Sequence, residues 1–348
     1  ALLLLAQQEK FAPNYFIDFV PLPHQTYLQK LVANKQKKIP TKRTLPAVQL
    51  PKLALSPWPT PQGYTFTIWF RIESIERKKK GIHLFSLASA NSELVVEALI
   101  KDDMYFYVKL YHYGPKISTD YDMYDDEQEV KEGVFHLLEF QKFKFKKDKW
   151  YFLAVNHQQT VHNGVINHAM TLYVNGTEKE KQSTEFLDNS TLRFFKNVFN
   201  MYSYTLETVR FGASLYPEQQ NLNYEDRYVF SSFQIGNAYI LDCMLNNVEV
   251  YMMYHLGPNY VGNFDDDISQ YFTDEVINTK SVDLFPELIY YIKDCSNNIS
   301  LAHLIDRVVL VFSARDAVAA TRLTIHVMSN NNILNFKQKS YMGHGNSS

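Results

Sequence analysis

The chain has 348 residues, and its 35 basic and 37 acidic side chains give a formal net charge of -2. That balance argues against a dedicated DNA-binding domain, which would carry a strong basic excess, and 46% apolar residues argue against a disordered chain. Aromatic residues reach 15% while glycine is scarce at 12 residues, which disfavours phosphate-binding nucleotide folds and favours pleated sheet.

The first zone, residues 1–45, is predicted to be a helical and linker segment. Leu2 to Leu5 form too short an apolar run for a transmembrane helix or a signal peptide, so we expect a soluble, cytoplasmic fragment of a longer protein. Thr26 can cap a short helix. The basic residues that follow favour a solvated linker over a contact with an anionic surface: Lys35, Lys37, Lys38, Lys42 and Arg43.

The middle zone, residues 46–262, is predicted to consist of β-strands. From Tyr64 to Ile72 apolar and polar side chains alternate with a period of two, as in a half-buried strand. About nine antiparallel strands in this zone indicate a two-layer sandwich, because a single sheet would leave one apolar face uncovered. The further strand predictions are 82–88, 93–100, 104–113, 134–141, 150–157, 170–175, 206–213 and 231–241.

The segment from Met104 to Tyr113 is the most suggestive surface. Its apolar side chains share one face, and the opposite face carries Tyr105, Tyr107, Lys109, Tyr111 and Tyr113. Tyrosines offer large, rigid contact area with a polar tip, so these five residues are the candidate site for a sugar, a peptide or a partner domain. The favoured alternative is that this face packs under loops or against the flanking helices. Lys142, Lys144 and Lys146 alternate with phenylalanines in a similar way and are typical of an exposed edge protected by charge.

The last zone, residues 263–348, is predicted to be helical. After Ser300, a possible cap, apolar residues from Leu301 to Phe312 follow the spacing of an amphipathic helix. Further helices are predicted from Pro286 and over 315–328. Short consecutive helices indicate helix-pair packing, as at the edge of a solenoid.

No motif in the sequence specifies a reaction. Glu127 and Glu129 have the spacing of a glycosidase carboxylate pair, but a solvated loop is favoured. The run 265–267 of three aspartates favours a linker over a calcium site. His157, His162 and His168 are interpreted as surface histidines rather than metal ligands. We therefore expect no catalytic residues, metal or cofactor. The two cysteines, Cys243 and Cys295, are interpreted as free thiols.

Several segments resemble a known family. Trp150 to Val155, followed by Thr171 to Gly176, resembles the concanavalin A-like (laminin-G-like) jelly-roll pattern. The segment from Trp58 to Arg71 resembles the opening of that domain in BEACH (beige/neurobeachin-type) proteins, and the segment from Gly236 to Tyr260, which ends in Gly257-Pro258-Asn259-Tyr260, resembles its close. In the second segment a short helix is expected before the turn, because Asn246 or Asn247 can cap it and Gly257 can end it.

The resemblance implies a fold and a role. The fold is a mainly β, concanavalin A-like two-sheet jelly-roll sandwich flanked by α-helical, armadillo-like segments. The role is a non-catalytic scaffold in vesicle trafficking and protein sorting, cytoplasmic and peripherally associated with membranes, whose partners are trafficking proteins and other domains of the same large chain. The alternatives are a lectin-like module that binds oligosaccharide through the tyrosine face and, less favoured, a sandwich-fold glycoside hydrolase.

Overall fold

The computed structural model describes residues 12–19, 47–50, 52–60, 62–75, 81–90, 94–113, 133–162, 165–186, 204–212, 231–262, 264, 301–315, 327–329 and 332–334. Within these ranges the chain is mainly β, with two antiparallel sheets of seven strands each. No helix in the described ranges is long and apolar enough to cross a membrane.

Sheet A is the layer that carries the helix of the fold. It contains β1 (Ile17–Phe19), β4 (Tyr64–Ser74), β9 (Trp150–His162), β10 (Val165–Val174), β11 (Thr177–Phe186), β13 (Ser232–Leu241) and β14 (Val308–Phe312). Its spatial order is β1-β13-β4-β9-β10-β11, and β14 pairs with β13 next to β1.

Sheet B is the layer that carries the tyrosine-rich strand. It contains β2 (Val48–Gln49), β3 (Leu55–Trp58), β5 (Ile82–Ser89), β6 (Leu94–Ile100), β7 (Phe106–Tyr113), β8 (Gly133–Phe140) and β12 (Tyr204–Phe211). Its order is β2-β12-β5-β6-β7-β8, and β3 also pairs with β12. A separate hairpin joins β15 (Val327–Ser329) to β16 (Asn332–Leu334).

The main core lies between the two sheets. Phe66 of β4 and Phe85 of β5 are both buried, and their rings stack across the layers with centroids 3.8 Å apart. Burying one such side chain stabilises a fold by roughly 1.5–3 kcal/mol. The alternation read from the sequence therefore places Phe66, Ile68 and Phe70 in this core, as predicted.

The strand predictions are largely confirmed, although β1, β2, β3, β11 and the three strands after β13 were not predicted. Each of the nine predicted strands overlaps an observed one. Strand β11 was missed because its sequence is charged and lacks an apolar alternation. It follows a two-residue turn in which Asn175 and Gly176 both have positive φ, 52° and 78°, as a tight hairpin turn requires.

One α-helix, α1 (Asn247–Leu256), covers the outer face of sheet A. Asn246 caps it: the Asn246 Oδ1 accepts a hydrogen bond from the Glu249 amide at 2.9 Å, and Glu249 accepts one from the Asn246 amide at 2.7 Å. The helix ends at Gly257, whose φ is +82°. Both ends agree with the sequence prediction.

Polar side chains of sheet A attach the segments on either side of α1. Thr65 accepts from the Leu245 amide at 3.0 Å, and Asn156 donates to the Leu245 carbonyl at 2.7 Å. Beyond the helix, the Asn237 Nδ2 donates to the carbonyls of Pro258 and Tyr260 at 2.7 and 3.1 Å. The turn that resembles the close of the family domain is thus held on the sheet by a buried amide.

The predicted helix over 301–312 is wrong. Residues Ala302–Arg307 form a short 3-10 helix, and Val308–Phe312 form β14, which pairs with β13. A continuous apolar run rich in valine suits either a buried helix or a strand, and here the edge of β13 offers hydrogen-bonding groups that a strand can satisfy. The armadillo-like flank is not supported by the residues described.

The described residues include only part of the two flanking segments, so the other predictions for these segments are tested only in part. At the N-terminus the described residues include β1, which belongs to sheet A. The predicted helix over 315–328 is contradicted where Val327 and Met328 lie in β15. The helices predicted at Thr26 and from Pro286 lie outside the described residues, and the domain boundaries at 45 and 262 stay predictions.

Candidate functional site

The predicted tyrosine face lies on the outer side of sheet B. Tyr107, Lys109 and Tyr111 belong to β7, opposite Leu99, Glu97 and Val95 of β6. Tyr105 precedes the strand and is partly exposed, as are Lys109 and Tyr111. Tyr113 ends the strand, and its side chain lies outside the described part. The backbone therefore gathers these residues along one strand, as the alternation predicted.

Tyr107 is committed to contacts within the chain. It is only 4% exposed, and its hydroxyl donates a hydrogen bond to Asp103. The Lys101 Nζ lies 3.7 Å from the centroid of its ring, a cation–π contact. Burial, reinforced by the Asp103 carboxylate, raises the pKa of the Tyr107 phenol. The ring at the centre of the face is thus not an open platform, as a sugar-stacking site would require.

A row of charged side chains crosses the same outer face. In register across the sheet lie Arg210, Ser86, Glu97 and Lys109, from β12, β5, β6 and β7. Glu97 and Ser86 are fully buried, and Arg210 also bonds to Gln49 at 2.9 Å. Burial lowers the pKa of the Arg210 guanidinium, and Glu97 opposes that shift. The opposite charges of Glu97 and the partly exposed Arg210 attract each other, and this attraction partly offsets the cost of burying them.

The neighbouring strand β8 extends the face toward the edge of the sheet. Opposite Lys109 and Tyr107 lie Leu137, which is partly exposed, and Glu139, which is exposed. Together with Tyr105, Lys109 and Tyr111, they form a partly exposed surface of mixed aromatic, apolar and charged groups. We call these five residues the β7–β8 surface.

The interpretation of His157 and His168 as surface residues is wrong. Both are fully buried inside the sandwich. The Nδ1 of His157 lies 3.0 Å from the Tyr64 hydroxyl, and its Nε2 lies 2.8 Å from the Nδ1 of His168. The side chain of His162 is outside the described part. The signal that could have found the burial of His157 is the phase of β9, in which it continues the inward series of Tyr151, Leu153 and Val155.

The Tyr64–His157–His168 chain can share protons along its hydrogen bonds. Each bond between two ring nitrogens needs one donor and one acceptor, so the tautomers of both imidazoles are coupled. Among the described residues, no group of three or more histidine, cysteine, aspartate or glutamate side chains is placed to hold a metal ion. The side chains of Tyr64, His157 and His168 therefore form a hydrogen-bond network inside the sandwich.

The structure does not test the carboxylate candidates for glycosidase chemistry or for calcium binding. Glu127, Glu129 and the aspartates at 265–267 lie outside the described residues. On the outer face of sheet B, Glu97 is fully buried in the charged row, whereas Glu139 is exposed and accepts from Gln141 at 3.0 Å. The expectation that the chain has no catalytic residues stays a prediction.

The alternating lysines lie in the connection between β8 and β9, not on an edge strand. Phe145 is 1% exposed and packs edge-on against Tyr151 with a centroid distance of 5.1 Å, and Phe143 packs beside it. Lys142, Lys144 and Lys146 are exposed. The phenylalanines therefore turn inward and the lysines outward.

Comparison with solved structures gives similarities at low sequence identity. No family model matches the chain. Among solved structures, it is similar to the native heptameric SAP-like pentraxin of Limulus polyphemus, with 12% identity, a TM-score of 0.34, and coverage of 63% of this chain and 78% of that one. It is also similar to the botulinum neurotoxin serotype D binding domain, with 14% identity, a TM-score of 0.31, and coverage of 56% and 37% respectively.

A third similar structure concerns botulinum neurotoxin type C, whose cell entry is described as dependent on interaction with two ganglioside molecules. The identity is 13%, the TM-score 0.32, and the coverage 59% of this chain and 38% of that one. The chain thus matches well under half the length of either toxin structure. Likenesses this distant carry no argument about binding or catalysis.

Proposed function

We propose that this chain is a non-catalytic scaffold and protein-interaction module that binds a partner through the β7–β8 surface. The observation that carries the proposal is the composition of this surface: two partly exposed tyrosines lie close to a lysine, a leucine and a glutamate on adjacent strands. Protein interfaces are enriched in tyrosine at their centre and carry polar groups at their rim. The sheet beneath holds these side chains on a rigid backbone.

Protein binding is favoured over sugar binding by the state of Tyr107. A sugar that stacks on a tyrosine needs an open ring face, and the Lys101 ammonium already occupies one face of Tyr107. The Tyr107 hydroxyl is also taken by Asp103. A protein partner instead can bury Tyr105, Tyr111 and Leu137 without displacing either contact.

The wider setting that we propose is a large BEACH-type protein of vesicle trafficking, cytoplasmic and peripherally associated with membranes. The proposal is supported by the segments that resemble that family, because their residues hold α1 and the following turn on sheet A. Trp69 packs on Phe152 and Tyr254 between sheet A and α1, with centroid distances of 5.4 and 5.7 Å. Asn237 holds the turn after Gly257. These residues maintain the fold and lie outside the proposed binding surface.

The test is direct binding of the purified chain to purified vesicle coat and tether proteins, measured by biolayer interferometry. The variant Tyr105→Ala/Tyr111→Ala should weaken binding by about tenfold or more, because interface tyrosines commonly contribute above 1 kcal/mol each. The matched control is Tyr15→Ala, which removes a tyrosine that is 45% exposed elsewhere on the chain. Equal binding by the double variant and the control would refute the assignment of the surface.

A lectin-like module is the second candidate, because Tyr105 and Tyr111 are partly exposed on either side of Lys109. A glycan array separates the two functions. Binding to a defined oligosaccharide that is lost in Tyr111→Ala, with no binding to any trafficking protein, would replace the first proposal with this one.

A further inference from the structure

The connection between β8 and β9 presents a dense group of lysines. Residues 141–149 contain five lysines, all of them exposed, and one aspartate: Lys142, Lys144, Lys146, Lys147, Lys149 and Asp148. Their concentration contrasts with the chain as a whole, whose formal net charge is -2. We call this segment the lysine loop.

The lysine loop is held in one conformation by its backbone and its phenylalanines. The Phe145 amide donates to the Met104 carbonyl at 2.9 Å, and the Lys146 amide donates to the Tyr151 hydroxyl at 3.0 Å. The Phe145 ring packs edge-on against Phe70 with a centroid distance of 5.3 Å. Because the aromatic rings turn into the core, the lysines between them are directed outward.

The carboxylates around the loop are engaged in other contacts. Asp148 pairs with Arg71 at 3.2 Å, and Glu180 accepts from the Lys142 amide at 2.8 Å. Asp103 accepts from the Tyr107 hydroxyl. Among the described residues, none of the five lysine ammonium groups forms an ion pair. The positive charge of the loop is therefore available to an external anion.

We propose that the lysine loop binds the anionic surface of a lipid bilayer. All five cations of the loop are lysines and none is arginine. Lysine is a strongly hydrated point charge on a flexible stem, which suits a diffuse negative surface, whereas arginine suits bidentate recognition of a single phosphate or base. The rings of the loop face inward, so they offer no platform on which nucleic-acid bases could stack.

This inference deepens the proposed membrane-associated role by assigning a surface and a lipid class to it. A lysine close to an anionic leaflet contributes about fivefold in affinity, and the attraction decays within a Debye length of about 8 Å at physiological ionic strength.

The experiment is co-sedimentation of the whole chain with vesicles of phosphatidylcholine alone and of phosphatidylcholine with phosphatidylserine. We expect binding only to the second kind and loss of binding at about 1 M salt, where the Debye length falls to about 3 Å. Lys144→Gln/Lys146→Gln should weaken binding by about 30-fold. Lys144→Arg/Lys146→Arg should retain it, and the control Lys52→Gln/Lys181→Gln, which changes two exposed lysines outside the loop, should match the wild type.

Equal binding by the Lys144→Gln/Lys146→Gln variant and the control would overturn the proposal. So would salt-insensitive binding, or tighter binding to a duplex oligonucleotide or a polyglutamate peptide than to the anionic vesicles. The Lys144 Nζ lies 5.3 Å from the centroid of the Tyr105 ring, so the two outcomes are separated with Lys147→Gln/Lys149→Gln, which leaves that contact and both tyrosines in place and should also weaken vesicle binding. Loss of vesicle binding with retained protein binding is the result expected from two independent surfaces.

Discussion

Asn237 provides the most informative test of how the C-terminal segment is attached to the sandwich. Its side chain is 5% exposed and makes three hydrogen bonds. The Nδ2 donates to the carbonyls of Pro258 and Tyr260 at 2.7 and 3.1 Å, and the Oδ1 accepts from the Ala314 amide at 2.9 Å. One side-chain amide thus joins β13 to the turn after α1 and to Ala314, two residues after the end of β14.

The variant Asn237→Ala removes all three bonds and leaves buried backbone groups without this partner. At about 1 kcal/mol net per hydrogen bond, we expect the free energy of unfolding to fall by about 3 kcal/mol. Urea denaturation should show a lower midpoint with an unchanged slope, because the surface exposed on unfolding stays the same. Hydrogen exchange of the β14 amides should also become faster, since the local opening of that strand is less costly.

The matched control is Asn259→Ala. Asn259 is exposed, and its Oδ1 accepts one bond from the Asn14 amide at 2.7 Å, so we expect a loss of less than about 1 kcal/mol. The reasoning fails if the two variants are equally stable, because buried hydrogen bonds would then contribute no more than exposed ones at these positions.

Three further predictions follow from backbone strain, thiol chemistry and a buried carboxyl group. Gly81 and Gly257 have nearly equal φ values of +80° and +82°, but an added Cβ would lie 2.1 Å from a backbone oxygen at Gly81 and meet nothing within 4 Å at Gly257. The ψ of 173° at Gly257 places it in a region that essentially only glycine adopts, so thermal denaturation should show a loss of about 1–3 kcal/mol for Gly257→Ala and a clearly larger loss for Gly81→Ala; similar losses would contradict the packing described. Burial, with nearby carboxylates, raises the pKa of the Cys243 thiol to about 11. In a Cys295→Ser background, Cys243 should react with Ellman's reagent at pH 8 more than about 100-fold slower than a free thiol of ordinary pKa, and a normal rate would refute this. Burial also raises the pKa of the Asp18 carboxyl above its usual 3.8. The folded state then binds this proton more tightly than the unfolded state, so the contribution of Asp18 to stability is present below pH 3.8 and is lost as the pH rises through the raised pKa. Asp18→Asn should flatten the fall in stability over that window, and an unchanged pH profile would argue against it.

Several features of the fold were predictable because they depend on local backbone geometry. In a strand successive side chains point to opposite faces, so the alternation from Tyr64 to Ile72 was enough to assign Phe66 to the core and Thr65 to the outer face. The capping of α1 was predictable for a similar reason, since the Asn246 side chain and Gly257 act on backbone groups within a few residues.

The candidate site was predictable only in part. The alternation correctly grouped Tyr107, Lys109 and Tyr111 on one face of β7. It could not indicate that Lys101 and Asp103, from the preceding turn, would occupy the ring and hydroxyl of Tyr107. The accessibility of a strand face depends on what the rest of the chain places over it, and that is not a local property.

The sequence by itself determined the class of the fold, the inward phase of its long strands and the ends of α1, because these follow from side-chain periodicity and from caps within one turn. Only the tertiary structure decided that Val308–Phe312 is a strand. Its apolar run suits a helix equally well, but the edge of β13 provides hydrogen-bonding groups that a strand can satisfy. The same holds for His157 and His168, which are buried because strands β9 and β10 bring each imidazole against another polar group. In each case the deciding interaction is with a residue distant in sequence or on another strand, and periodicity carries no information about such contacts.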